Sequence, residues 1–118
     1  MERDPRTFLW DALVSAEAIA RYISGKSAQD YLADDMLRAA VERQFEIVGE
    51  ALNRLAREAP ELAARIPNIS RAVAFRNLLI HGYGDIDDPT VFRIATEDPP
   101  ALTTAVRQVF GDLEPRSK

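Results

Sequence analysis

The sequence predicts an all-α fold, an antiparallel bundle built around two long helices with several short ones packed on them. Three observations carry this reading. Apolar residues recur at helical spacing along most of the chain, and Asp, Ser, Pro and Gly fall where those patterns start and stop. No stretch of about four to eight residues alternates apolar and polar side chains strongly enough to read as a strand. A length of 118 residues suits a single domain spanning 1–118.

The elements follow in order. Asp4 followed by Pro5 is a helix start, with a capping carboxylate and a proline at the first helical position. Phe8, Leu9, Ala12, Leu13, Ala16, Ile19, Ala20 and Ile23 then mark one apolar face, which Ser24-Gly25 ends. Ser27 caps a short turn over 28–32, whose Tyr31 and Leu32 are expected to face inward. The longest segment runs from Asp34 or Asp35 to about Glu58. Its stripe of Leu37, Val41, Phe45, Val48, Leu52 and Leu55 is widened by Ala40, Ile47 and Ala51, as burial against several neighbours requires. Pro60 closes it, and 61–65 can add one turn. After the Pro67-Asn68 loop, Ser70 is placed to cap a helix holding Ala72, Val73, Phe75, Leu78 and Leu79, which Gly82 and Gly84 stop. Asp88-Pro89 starts another helix through Val91, Phe92 and Ile94. Asp98-Pro99-Pro100 repeats the signal for a last one through Leu102, Val106 and Phe110, ended by Gly111 and Pro115.

Composition narrows the chemistry. The chain is 47% hydrophobic and 29% charged, as an ordinary globule is. It has no cysteine and one histidine, which excludes disulfides and argues against a structural zinc site; no metal or cofactor is expected. Mixed charge in Met1-Glu2-Arg3-Asp4 and the lack of a long apolar run predict neither a signal peptide nor a membrane span, so the cytoplasm is the expected compartment. A net charge of −4 is not that of a protein gripping nucleic acid by bulk electrostatics. Only Lys26 and Lys118 are lysines, and the arginine bias suits a few directed contacts to carboxylates or phosphates.

Arg76-Asn77-Leu78-Leu79-Ile80-His81-Gly82-Tyr83 gathers the polar side chains best suited to chemistry. Imidazole titrates near neutral pH, so His81 is the natural proton carrier. At about 100° per residue, Asn77 and His81 share a helix face, whereas Arg76 and His81 point well apart. Two arrangements would bring them to one phosphate: loosening of the helix at Gly82, or two copies of the helix meeting across a twofold axis. In such a groove Arg76 would hold a phosphodiester and His81 would move a proton on or off a ribose oxygen. Taken singly, a histidine before a helix-ending glycine also reads as a cap, Arg76 as a surface ion-pair partner and Tyr83 as a loop anchor.

The Arg-x4-His-x-Tyr arrangement of Arg76, His81 and Tyr83, with Asn77 after the arginine, resembles the signature of the HepT-like toxins of the HEPN superfamily. The likeness spans essentially the whole chain. The segment 41–52, with its Gly49-Glu50-Ala51 step, is similar to the family's central helix. Arg3-Asp4, the Ile66-Pro67 loop and the acidic 85–88 loop also fall in family order. The resemblance implies a HEPN-type bundle, a homodimer and a metal-independent endoribonuclease in which Arg76 and His81 cut RNA at the dimer cleft and Asn77 supports them. It also implies a HEPN–MNT toxin–antitoxin pair, whose MntA-like nucleotidyltransferase antitoxin neutralises the toxin by transferring AMP to Tyr83.

Ile69 stands where the family often has a tryptophan, and Ala74 where a small glycine is frequent. Asp85, Asp87 and Asp88 read as a capping loop, or as a surface for a basic antitoxin or a metal–ATP complex. Glu46 and Glu50, with Arg43 and Arg54 around them, have the spacing of helix-stabilising ion pairs, with Glu50 a possible second layer behind the cleft. The alternative function is a non-catalytic HEPN dimer that binds and regulates a nucleotidyltransferase.

Overall fold

The computed structural model describes residues 4–81 and 88–113. Among these described residues six helices follow one another: α1 (Pro5–Ile23), α2 (Ala28–Ala33), α3 (Asp35–Glu58), α4 (Pro60–Ala63), α5 (Ile69–His81) and α6 (Asp88–Leu113). Among the described residues there is no strand, so the all-α expectation holds. No helix among them is long and apolar enough to cross a membrane.

The helix starts form as their side chains dictate. Asp4 caps α1 by accepting from the Arg6 amide at 2.9 Å, with Pro5 filling the first helical position. Ser27 and Asp30 make a reciprocal capping box on α2. Asp34 accepts from the Leu37 amide at 3.0 Å to start α3. α5 begins at Ile69, ahead of Ser70, because Asn68 takes a left-handed φ of 65° that turns the chain into the helix.

α1, α3 and α6 pack together, with α2 lying on α6 and α3 and α4 on α3. Their shared core holds Phe8, Leu9 and Ile19 of α1, Val41, Leu52 and Leu55 of α3, and Val91, Val106 and Val109 of α6. Each such side chain, fully withdrawn from water, stabilises the fold by about 1.5–3 kcal/mol. α5 makes its main contact with α3 alone. There Phe75 meets Phe45 edge to face at 4.9 Å between ring centroids.

Three expectations need correction. The segments after Pro89 and after Pro100 are one helix, α6, with Pro99 and Pro100 inside it, so the bundle has a third long helix. The apolar stripe explains this: Val91, Ala95, Pro99, Val106 and Val109 stay buried along one face, so packing carries the helix past the amide donors that the prolines lack. Thr103 and Thr104 donate their hydroxyls to the Pro100 carbonyl, at 3.0 Å each. Leu32 is 42% exposed while Tyr31 is wholly buried, since neighbours on a short helix point about 100° apart and only one can face the core. Ala20 and Leu78 are also exposed, and Phe75 is the one buried residue of α5.

Candidate functional site

The site is built where α5 crosses α3. Gly49 lies opposite Arg76, and a Cβ added there would fall 2.3 Å from the Arg76 Cβ and 2.8 Å from its Cγ. Only a residue without a side chain lets the two helices approach so closely, which is the physical content of a glycine inside a long helix. The root of Arg76 is thereby pressed onto the α3 backbone.

The far end of Arg76 is held by two oxygens. Its Nη2 lies 2.8 Å from Glu50 Oε1, and its Nη1 donates to Asn77 Oδ1 at 2.9 Å. Its Nε is buried and has no hydrogen-bond partner among the described residues. Glu50 therefore bonds across to α5 instead of along its own helix. Arg43 pairs with Glu46 at 3.2 Å and Arg54 with Glu58 at 3.5 Å, the in-helix ion pairs that the spacing suggests. Sequence reasoning placed Glu50 behind the cleft but gave Gly49 no role; the signal was a glycine in the interior of an otherwise strong helical pattern.

Arg76 opens on a groove of about 190 Å³ between α1, α3 and α5. Phe8, Ile47, Ala51 and Ile80 supply its apolar walls, and the carboxylates of Asp11, Glu46 and Glu50 are balanced by Arg43, Arg54 and Arg76. The Arg54 guanidinium sits over the Phe8 ring, 5.3 Å from its centroid.

Asn77 and His81 are exposed on the outer side of α5, flanked by the partly exposed Ile80 toward the groove and Leu78 toward α6. α5 stays helical through His81, so no loosening occurs before that residue. Within one chain, Arg76 and His81 leave the helix roughly 140° apart. Tyr83 lies outside the described residues, as do Arg3, Gly82, Gly84, Asp85, Asp87 and Pro115. Asp88 opens α6 and pairs with Arg38 at 3.5 Å. Among the described residues no group of three or more His, Asp or Glu side chains is placed to hold a metal ion.

On the other side of α5, a second cavity of about 410 Å³ separates it from α6 and is lined mostly by apolar side chains, among them Phe75, Leu78 and Ile94. Ala74 faces it, and Arg71 and Asp98 pair at 3.3 Å on its lining. The small residue at 74 thus borders open space rather than a tight contact.

The profile of the family described as Ribonuclease HepT-like matches residues 12–109, which include every described side chain of the Arg76 site except Phe8 and Asp11. The chain belongs to the HepT-like ribonuclease family. A Methanocaldococcus jannaschii protein named "Putative RNase MJ1380" is 33% identical over 110 residues, covering 92% of this chain and 98% of the relative. "Probable ribonuclease HepT" of Thermococcus cleftensis is 30% identical over 102 residues, covering 86% of this chain and 92% of the relative. No solved structure matches. In this HepT-like chain, then, Arg76 sits at the close crossing with Gly49, and α5 carries His81 on another face.

Proposed function

We propose that this HepT-like chain is an endoribonuclease that cuts single RNA phosphodiester bonds without a metal, as the toxin of a HEPN–MNT pair acting in the cytoplasm. The observation that carries the reading is the Arg76 guanidinium, held by Glu50 and Asn77 at the mouth of a groove on the helix that also bears His81. Arg76 would bind the scissile phosphate and stabilise its growing negative charge. His81 would take the proton from the ribose 2′-hydroxyl as that oxygen attacks phosphorus. The bond to the 5′-oxygen breaks, and that oxygen receives a proton from an imidazolium. The products are a 2′,3′-cyclic phosphate and a 5′-hydroxyl.

The divergence of Arg76 and His81 on one helix favours a cleft shared by two copies. Leu78 and Ile80, exposed apolar side chains that flank the Asn77 and His81 face on its two edges, support covering of that face by a second chain. Control would fall to Tyr83. A partner nucleotidyltransferase would join its phenolic oxygen to the α-phosphorus of ATP, releasing pyrophosphate and a proton and leaving AMP, bulky and anionic, beside the cleft.

Purified protein should cleave RNA in the presence of a chelator. His81→Ala should lower the rate roughly a hundred- to ten-thousandfold, the usual contribution of a proton-transfer group, without changing the state of assembly. Wild-type cleavage by that variant would defeat the mechanism. The net charge of −4 favours a second reading, a regulatory dimer that engages the nucleotidyltransferase without cutting RNA. That reading predicts AMP on Tyr83 by mass spectrometry and no metal-independent cleavage by either form.

A further inference from the structure

We propose that Glu50 is the positioning residue of Arg76, and that Gly49 and Glu50 act as one device that aims the guanidinium at a phosphodiester. The proposal rests on the ribonuclease reading and deepens it.

A guanidinium has five N–H groups in a rigid plane. One on Nη2 is directed to Glu50 at 2.8 Å, one on Nη1 to Asn77 at 2.9 Å, and the Nε–H is buried. One N–H is left on each terminal nitrogen, a pair suited to two oxygens of a phosphate. Their direction is set at both ends of the side chain. The Arg76 Cβ and Cγ lie against Gly49, so the root cannot shift toward α3, and the adjacent residue on α3 grips the tip. Placing the clamp on consecutive residues of one helix fixes the distance between root and tip. An arginine so prepared reaches the phosphate without first searching its rotamers. The carboxylate has an electrostatic cost, because it lowers the attraction of the groove for RNA. That cost falls on binding, whereas the aim acts on the chemical step.

The two effects separate in kinetics. Glu50→Ala should lower kcat roughly ten- to a hundredfold, the scale of a misplaced catalytic contact, with KM unchanged or lower. Glu50→Gln, which keeps an acceptor oxygen and removes the charge, should recover most of kcat. A purely repulsive carboxylate predicts instead that both variants bind RNA more tightly and cut at least as fast, and a purely structural one predicts losses that follow thermal stability. Either result overturns the proposal. A second readout does not need activity. In the wild type and Glu50→Gln, nitrogen NMR should show slowed rotation of the Arg76 guanidinium, with separate signals for its terminal nitrogens, and in Glu50→Ala averaged ones. Averaging in the wild type would overturn the positioning role. A wild-type protein that shows the slow guanidinium but leaves RNA intact would defeat the ribonuclease reading alone.

Discussion

Gly49 and Arg76 touch at the crossing of α3 and α5 so closely that a methyl group on the glycine would sit 2.3 Å from the arginine Cβ. The obstacle is the fixed root of a side chain, so it cannot swing aside as a flexible tip would. Gly49→Ala should therefore push α5 outward and destabilise the protein by about 1–3 kcal/mol, the range for overpacked interiors, although alanine is the better helix former. Urea denaturation measures the loss. RNA cleavage by the folded variant should fall as well, because the guanidinium moves with α5.

The Phe45–Phe75 contact is the other fastening of α5. Phe75 is buried and meets its neighbour at 90°, an arrangement that adds to area burial. Phe75→Ala should cost about 3–5 kcal/mol, with α5 losing its helical signal ahead of the rest of the bundle. Trp10, tilted against Phe110 and half exposed, offers a fluorescence probe at the contact of α1 with α6. Its transition should lie at higher urea than that of α5 in this variant.

The helices and most of their caps were legible because local chemistry decides them. Asp4, Ser27 and Asp34 each make the cap that their position announces. The split of α6 at Pro99-Pro100 failed because proline is a local stop signal while the buried stripe from Val91 to Val109 is a tertiary one, and the tertiary one prevailed. At the site, Arg76, Asn77 and His81 stood out by residue type. The Glu50–Arg76 pairing did not, since carboxylate spacing within α3 cannot reveal a neighbour supplied by another helix. Gly49 was hidden for the same reason: its role depends on what faces it.

Glu42 offers a test of electrostatics away from the site. Burial is the main cause that holds its carboxyl above the ordinary glutamate range, reinforced by the negative charges of Asp88 and Glu46 and opposed by Arg38. A carboxyl whose titration is raised on folding binds protons more readily in the native state, so its ionisation weakens the fold as pH rises through its folded pKa. Glu42→Gln should raise the Tm at pH 7. The gain should shrink as pH falls below the normal glutamate range, where wild-type Glu42 is protonated in both states. Thermal melts of the two proteins at pH 7 and near pH 3 check the sign, and a gain that persists unchanged in acid would refute the assignment.

α5 is fastened along one side, to α3, and along the other it borders a space of about 410 Å³. Local opening costs least where few apolar contacts must be broken, and α5 buries one side chain where α1 and α3 bury many, so it is expected to detach while they remain formed. Its amides from Ala72 to His81 should exchange with deuterium well before those of 48–55. The residues proposed to cut RNA thus ride on a helix anchored chiefly to one neighbour. Whatever seats on that helix also sets how often it opens, which makes its exchange rate a direct gauge of occupancy.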